Sequence, residues 1–310
     1  MTFSEKVKNE LCRLEENKPC CQKAEAYGMA LFGKSFRKDC VSLHTINKEV
    51  AERYADRLVC LTGSIITITE VERSSSNDKI LYIVELEDES DRQAVLEYFL
   101  GVADFAQPGI RFDLLSSDCC RRAFLRGCFL ACSSVTDPEK EYHLEFVVQD
   151  DRLAGDLLKF MDETGIPAKS TKRKGNNIIY LKESEHIEDL LTLIGATKST
   201  LELMNVKIYK DVRNKVNRVT NCETANIGKT VVASSNQIKD IEWIAQNKGL
   251  DYLPEELRSI AQLRLDNPEL SLSELCEISN TGLSKSGMNH RLKKIAQIAD
   301  DLRKTSCKAI

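Results

Sequence analysis

The sequence predicts an α+β fold, in which a duplicated αββαββα domain is followed by an all-α domain. In the first two hundred residues, stretches of helical apolar spacing alternate with short strand-like runs, and this order occurs twice. Beyond Gly195 only helical spacing remains. We therefore expect a duplicated domain over 1–200, a basic connecting helix over 201–220 and a helical domain over 221–310.

The two repeats, about 20–100 and 119–197, are related by an offset of 99 residues. Three pairs of identical residues stand at this offset: Gly28 and Gly127, His44 and His143, and Ala55 and Ala154. Because a single repeat would leave one face of its sheet exposed, each copy needs the other as its cover. The equivalent positions of the histidines indicate shared packing rather than metal binding.

Apolar spacing gives the expected limits of each element. In the first repeat these are a helix ending near Phe32, strands within 36–46, a helix over 48–61, strands over 64–71 and 79–86, and a helix over 91–100. In the second repeat they are a helix ending near Cys132, a strand over 142–148, a helix over 152–163, strands over 168–174 and 177–181, and a helix over 185–194.

The C-terminal third is expected to be helical throughout. The stretch 200–219 is basic and amphipathic, which suits a connecting helix. A helix over 221–247 is expected to end at Gly249. Pro254 stands at the favoured first position of a further helix that reaches Leu265.

The next segment has the pattern of a helix-turn-helix. Ser271 and Glu274 form a capping box, which begins a short helix over 272–278. Asn280-Thr281-Gly282 supplies the turn, since glycine permits the positive φ that other residues resist. Ser284 is then expected to cap the second helix.

The second helix has an apolar face and a basic polar face. Its apolar face is formed by Met288, Leu292, Ile295 and Ala299. No acidic residue occurs between Glu277 and Asp300, and a major groove accepts a helix whose cations contact phosphates and whose Asn and Ser contact base edges. The predicted DNA-binding residues are Lys285, Ser286, Asn289, His290, Arg291, Lys293 and Lys294. The alternative is a core helix with a solvated basic face, but the preceding capped helix and glycine turn favour DNA.

The net charge of −4 conceals an asymmetry between the two parts of the chain. Residues 205–310 hold 17 Lys and Arg against 13 Asp and Glu, so this part is positive and the preceding part is negative. The positive part contains the helix-turn-helix pattern, as binding to nucleic acid requires. No apolar run reaches the roughly 20 residues needed to span a bilayer, and the charged N-terminus has no signal-peptide core. We expect a cytoplasmic, nucleoid-associated protein without membrane contact.

The twelve cysteines form no recognisable metal motif. There is no C-x-x-C pair, although Cys20 and Cys21 are adjacent, as are Cys119 and Cys120. In a reducing compartment we expect these cysteines to pack as small apolar side chains, with no metal and no other cofactor.

The segment from Gly28 to Ser35 matches the pattern G-x-x-x-x-G-K-[ST] of a phosphate-binding loop. That motif needs a strand before it and a helix after it, so that amides at the start of the helix meet the phosphates. Here a helix precedes and a strand follows, and the four intervening residues are apolar. We interpret Gly28, like Gly127, as a position where two equivalent helices approach closely.

Two central helices that pack through small residues, each followed by a hairpin, resemble the LAGLIDADG homing-endonuclease fold. The resemblance implies a metal-binding carboxylate near the end of each central helix. Aligning the two glycines with the motif places Gly33 and Cys132 at these positions, and neither offers the hard oxygen that Mg²⁺ requires. Asp39 and Asp137 are expected further on, in the hairpins. We therefore expect no catalytic residues.

The whole chain also resembles the WhiA family of bacterial sporulation and cell-division regulators. The resemblance is carried by VKNELCRL (7–14), FLACSSVTDPEKEYHLEFV (129–147), NRVTNCETANIGKTVVASSNQIKDI (217–241), LPEELRSIAQLRLDNPELSLSEL (253–275) and LSKSGMNHRLKKI (283–295). It implies an inactive LAGLIDADG-like domain joined to a helix-turn-helix like that of sigma-factor region four. It further implies binding to double-stranded DNA in transcription control, cell division or chromosome segregation, with protein partners bound by the duplicated domain.

Other interpretations stay open at this point. The reversed element order disfavours a nucleotide hydrolase, and the missing carboxylates disfavour a nuclease. A nucleoid-associated scaffold that binds DNA nonspecifically is not disfavoured, because phosphates contribute much of either affinity. The basic cluster Lys169, Lys172, Arg173 and Lys174 on a predicted hairpin suits a second DNA contact, but we favour a solvated edge hairpin protected by lysines.

Overall fold

The chain forms two units, Met1–Lys210 and Asp211–Ile310, each with its own apolar core. The computed structural model describes residues 1–72, 80–101, 109–279 and 282–307. Among the helices in these ranges, none combines the length and the apolarity of a membrane-spanning segment.

The first unit consists of a leading helix, α1 (Phe3–Cys12), and two copies of one arrangement. The first copy contains α2 (Pro19–Leu31), β1 (Ser35–Phe36), β2 (Val41–Thr45), α3 (Lys48–Thr62), β3 (Thr67–Glu72), β4 (Ile80–Glu85) and α4 (Glu89–Leu100). After a 3₁₀ turn at Phe112–Leu115, the second contains α5 (Asp118–Cys132), β5 (Ser133–Val135), β6 (Leu144–Val148), α6 (Asp151–Glu163), β7 (Lys169–Arg173), β8 (Asn176–Leu181) and α7 (Ser184–Ile194). The predicted duplicated αββαββα fold is confirmed.

Each copy has a four-stranded antiparallel sheet with the same strand order. The order is β1-β2-β4-β3 in the first copy and β5-β6-β8-β7 in the second. Leu43 pairs with Val84 in the first sheet and Phe146 pairs with Ile179 in the second, and all four side chains are buried. In the strands at one edge of each sheet, β3 and β7, every residue except Thr67 is exposed. The central strands of both sheets therefore contribute to the core, and these two edges face solvent.

The two copies meet through α2 and α5, whose backbones touch at Gly28 and Gly127. A Cβ atom on Gly28 would collide with the carbonyl oxygen of Phe124, and one on Gly127 with the carbonyl oxygen of Glu25. Phe124 and Glu25 are themselves 99 residues apart, so the contact is reciprocal. Because only glycine leaves room for this approach, the helix-contact interpretation of both glycines is confirmed.

The offset of 99 does not extend beyond the central helices. Asn47 caps α3 and Asp150 caps α6, so equivalent positions at these helices lie 103 residues apart. The connection between β5 and β6 is longer than the one between β1 and β2, which shifts the rest of the second copy. The predicted equivalence is therefore wrong for His44 with His143 and for Ala55 with Ala154.

A buried carboxylate, Glu25, ties three helices together at the contact between the copies. It accepts hydrogen bonds from Arg53 of α3 at 2.6 and 3.0 Å and from Arg126 of α5 at 2.7 Å. The guanidinium of Arg57 lies 3.6 Å away. Burial alone would raise the pKa of Glu25, but the hydrogen bonds from Arg53 and the charges of the arginines hold that pKa below its ordinary value. The carboxylate is therefore ionised at neutral pH.

The second unit is helical. Helix α8 spans Thr197–Lys248, so the two segments predicted at 200–219 and 221–247 form one helix that belongs to both units. A 3₁₀ turn at Leu250–Tyr252 is followed by α9 (Glu255–Asp266), α10 (Leu272–Ile278) and α11 (Lys285–Cys307). The core of the unit is formed by side chains that include Ile241, Ile244, Leu257, Ile260, Leu275, Met288, Leu292 and Ile295.

Replacing Glu25 with Gln should lower the free energy of unfolding by about 3–5 kcal/mol, because three largely buried arginines would lose the carboxylate that they share and only Arg126 would retain another, Glu16. Thermal melting of the full chain measures this loss, and Glu52→Gln, on the exposed face of α3, is the control that should melt like the parent. Since folding lowers the pKa of Glu25, its contribution is present above the ordinary carboxyl pKa and is lost as the pH falls through the folded value. The difference between parent and Glu25→Gln should therefore shrink in acid. Equal melting of the two variants at neutral pH would contradict the role of this cluster.

Candidate nucleic-acid interface

The second unit builds a helix-turn-helix from α10 and α11. The Ser271 hydroxyl accepts a hydrogen bond from the Glu274 amide at 3.3 Å, and the Ser271 amide donates to the Glu274 carboxylate at 2.7 Å. The predicted capping box is thus confirmed. Beyond α10, Gly282 has a positive φ of 61°, as the predicted turn requires. The other two turn residues, 280 and 281, lie outside the described residues.

Helix α11 is capped and oriented as its sequence predicts. The Ser284 hydroxyl accepts a hydrogen bond from the Gly287 amide at 3.2 Å, which satisfies one of the free amides at the helix start. Every residue of the predicted apolar face is at most 2% exposed: Met288, Leu292, Ile295 and Ala299. These side chains pack into the core with α9 and α10, and they fix which face of α11 meets solvent.

The solvent face of α11 carries most of the predicted DNA contacts. The exposed residues among them are Lys285, Ser286, His290, Lys293 and Lys294, whereas Asn289 and Arg291 are half-buried. The salt bridges found among the described residues of this unit leave Lys285, Lys293 and Lys294 without a carboxylate partner. Three exposed lysines, on the solvent face and both of its flanks, are therefore available to an anionic ligand.

Arg291 is engaged differently from the three lysines. Its guanidinium lies 3.3 Å from the carboxylate of Glu256, in the first turn of α9, and its side chain is only 27% exposed. A surface pair of this kind contributes about 0–1 kcal/mol, so a phosphate would have to displace Glu256 at a small cost. Periodicity did not reveal this pair, because it joins two helices that are distant in sequence. Arg291 is therefore a weaker candidate for a phosphate contact than the three lysines.

A buried arginine that the sequence interpretation missed holds the loop before α10. Arg264 is 2% exposed, and its Nη1 donates to the carbonyl oxygens of Leu270 at 2.7 Å and Asn267 at 3.4 Å, and to the Ser234 hydroxyl at 3.3 Å. Burial lowers the pKa of this guanidinium. The signal that could have found it is a charged residue at the same helical spacing as the apolar residue Ile260. By binding both carbonyls, Arg264 fixes the loop that leads into the cap of α10.

The ends of the central helices in the first unit lack the oxygen ligands of a LAGLIDADG metal site. Gly33 follows α2 and has no side chain, while Cys132 ends α5. Burial raises the pKa of the Cys132 thiol to about 12, and the Lys8 ammonium nearby offsets this only in part. Asp39 and Asp137 lie, as predicted, in the turns between β1 and β2 and between β5 and β6, where both are exposed. A neutral thiol and an ammonium are a poor setting for a divalent cation.

The segment from Gly28 to Ser35 has the predicted order of elements: Gly28 lies inside α2, and Ser35 begins β1. Lys34 is exposed between them. The cleft beside it has a volume of about 150 Å³, below the roughly 300–1,000 Å³ of ordinary small-molecule pockets. The segment itself ends a helix and enters a strand, so it presents no helix start to a phosphate. The start of α6 lines the cleft, but the carboxylate of its cap, Asp150, already accepts the Leu153 amide and places negative charge there.

The two equivalent edge strands carry opposite charges. On β7, Lys172 lies 2.8 Å from Asp151, and Arg173 lies 3.2 Å from Glu145. On β3, Glu70 and Glu72 are exposed. The ion pairs partly neutralise the basic cluster of β7, and a duplex lying along both edges would meet negative charge on β3. Both observations favour a protected edge over a second DNA contact.

A duplicated LAGLIDADG-like domain joined to a helix-turn-helix domain defines the class of this protein. The family model of the WhiA LAGLIDADG-like domain matches residues 121–213, and that of the WhiA C-terminal HTH domain matches residues 216–299. The chain is 40% identical to a probable cell division protein WhiA from Ruminiclostridium cellulolyticum over 99% of both chains. It is also 40% identical to a protein of the same name from Carboxydothermus hydrogenoformans over 98% of both chains. The chain belongs to the WhiA family, as its sequence segments predict.

A solved structure agrees with this assignment. The crystal structure of full-length DUF199/WhiA from Thermatoga maritima is similar to this chain with a TM-score of 0.58 and 26% identity. The similarity covers 97% of this chain and 99% of that chain. The combination of the two domain types is therefore shared over the full length.

Lys34→Ala should leave the melting temperature unchanged, and ATP with Mg²⁺ should not raise the melting temperature of the parent. The physical reason is that the segment from Gly28 to Ser35 presents no helix-start amides to a phosphate. Thermal melting with and without nucleotide measures both, and Lys38→Ala serves as the control for loss of an exposed lysine. A nucleotide-dependent rise that Lys34→Ala abolishes and Lys38→Ala retains would restore the phosphate-loop interpretation.

Proposed function

We propose that this protein is a non-catalytic, DNA-binding regulator of transcription and cell division. The observation that carries the proposal is the set of exposed lysines on α11 that pair with no carboxylate among the described residues, and the buried apolar face directs this side of the helix away from the core. Lys285, Lys293 and Lys294 are assigned to phosphates, which position a protein on the duplex. Asn289 and His290 are assigned with Ser286 to base edges, which supply sequence information.

The cellular role is proposed from the relatives. Two of them, each 40% identical to this chain, bear the name probable cell division protein WhiA. We place this chain in the same process, acting in the cytoplasm on the nucleoid through transcription control or chromosome segregation. The duplicated domain is proposed to bind protein partners, and its exposed edges β3 and β7 offer surfaces of opposite charge.

Nuclease chemistry is left out of the proposal for a chemical reason. Metal-assisted cleavage of a phosphodiester needs oxygen ligands that hold the cation while it activates water and stabilises the leaving group. Gly33 and Cys132 occupy the two positions where a LAGLIDADG nuclease carries these ligands, and the Lys8 ammonium adds positive charge there.

Nonspecific binding to the nucleoid is the second candidate function. It is favoured by the exposure pattern, because the exposed lysines suit phosphates whereas Asn289, the best candidate for reading a base, is half-buried. The two functions predict different responses to the loss of Asn289. A specific regulator should lose affinity for its preferred site alone, and a nonspecific binder should be indifferent to sequence before and after the change.

Combined replacement of Lys285, Lys293 and Lys294 with Ala should weaken binding to every duplex and reduce the salt slope by about one unit for each lost phosphate contact. Asn289→Ala should cost about 1–3 kcal/mol on a duplex selected by the parent and little on others. Affinity at several salt concentrations measures both effects. Neither variant should melt differently from the parent, since the apolar face of α11 is intact.

The matched control removes three lysines from the other basic surface: Lys169→Ala, Lys172→Ala and Lys174→Ala combined. It should bind DNA like the parent. Full-strength binding by the α11 triple variant, together with weak binding by the hairpin variant, would transfer the DNA contact to the first unit. Loss of affinity in both variants would show that DNA contacts both surfaces.

A further inference from the structure

Four cysteine thiols converge at the N-terminal ends of the two central helices. Cys20 and Cys21 lie in the first turn of α2, and Cys119 and Cys120 lie in the first turn of α5. Their Sγ atoms all lie within 4.8 Å of one another, and those of Cys20 and Cys21 are 4.0 Å apart. Within the described ranges, this is the one group of three or more Cys, His, Asp or Glu side chains close enough to share a metal ion.

The duplication explains how the four thiols come together. Cys20 corresponds to Cys119 and Cys21 to Cys120 at the offset of 99, which also relates the two contact glycines. The two pairs therefore occupy reciprocal positions on helices whose backbones touch. A search for spacings within one segment missed the group, because each helix supplies two adjacent ligands and neither helix supplies a complete set. Cys21 and Cys120 pack in the apolar core as expected, whereas Cys20 is exposed and Cys119 is half-buried, so apolar packing alone does not account for the group.

The geometry fits a single thiophilic ion. Zinc binds cysteine sulfur at about 2.3 Å, which places the sulfurs of a tetrahedral site about 3.8 Å apart. Thiols that already lie within 4.8 Å of one another need only a small contraction to reach that arrangement. An iron–sulfur cluster would instead have to spread the sulfurs outward around several metal atoms. A four-thiolate set also selects zinc over hard cations such as Mg²⁺.

The two helix starts favour the thiolate form that a metal requires. Both α2, with 13 residues, and α5, with 15, direct the positive ends of their dipoles toward the sulfurs. A bound cation acts in the same direction, since a coordinating thiol is deprotonated outright.

We propose that Cys20, Cys21, Cys119 and Cys120 form a structural Zn²⁺ site that joins the starts of α2 and α5. Four protein ligands close the coordination sphere, which is the arrangement of structural rather than catalytic zinc. Binding replaces four S–H bonds with four Zn–S bonds and releases the protons to solvent, with no electron transfer. The ion would hold the two repeats together at a second point, away from the glycine contact. Cys20 is exposed, which gives the ion a path of entry.

The test is a metal titration of the full chain, prepared metal-free under reducing conditions. Added Co²⁺ should bind at about one ion per chain with the intense visible absorption of a tetrahedral tetrathiolate site, and Zn²⁺ should displace it. Zn²⁺ should also raise the melting temperature. The double variant Cys20→Ser and Cys119→Ser should lose the absorption and the rise. The control, Cys60→Ser with Cys222→Ser, removes two exposed cysteines elsewhere and should retain both.

Each remaining outcome decides the question. Unchanged Co²⁺ absorption in the Cys20 and Cys119 double variant, or no tetrathiolate absorption in the parent, would overturn the proposal. Iron and acid-labile sulfide found in the purified protein would show that the four thiols hold an iron–sulfur cluster in place of zinc. A disulfide between the two helices, with no metal bound after its reduction, would show that the thiols form a redox pair and no metal site. If the double variant fails to fold, the Co²⁺ spectra of the parent and of the control still test the proposal, because both should show the tetrathiolate absorption.

Discussion

The close approach of α2 and α5 is the constraint on which the first unit depends. Gly28 and Gly127 allow the two backbones to touch, because a Cβ atom at either position would strike a carbonyl oxygen of the other helix. The same contact places Glu25 among three arginines and gathers four cysteines where the helices begin. A side chain at either glycine would therefore disturb the joint core, the buried charges and the thiol group at once.

The parts of this structure that local sequence determines could be predicted. Caps such as Ser271 and Ser284 and the apolar spacing of α11 act within a few residues, so the pattern alone identifies them. Duplication could be recognised too, because the repeats keep the same order of elements. The predicted equivalence of His44 with His143 was wrong, since a longer connection in the second copy changes the offset between the repeats.

The parts that could not be predicted are contacts between distant elements. Arg291 pairs with Glu256 of another helix, and Arg264 is buried among carbonyl oxygens of a loop that follows it. Neither contact has a periodic signature. The cysteine group is the clearest case, because adjacent pairs such as Cys20 and Cys21 have no known metal spacing until the fold brings the second pair beside them.

The two units divide their charges in a way that suits different tasks. In the first, the buried arginines and part of the basic edge strand pair with carboxylates, as at Arg126 with Glu25 and at Lys172 with Asp151. In the second, α11 presents lysines that no described carboxylate neutralises, and the apolar core fixes their direction. Matched charges suit a scaffold that is stable by itself, whereas unmatched cations on a capped helix suit a polyanion.

Helix α11 is proposed to determine where this protein binds on DNA. Mapping of bound DNA across the bacterial chromosome tests it most directly, with the parent chain compared against the combined Lys285→Ala, Lys293→Ala and Lys294→Ala variant at equal abundance. We expect sharp peaks at promoters for the parent and their loss in the variant. Peaks that persist unchanged in the variant, or diffuse coverage by the parent, would contradict it.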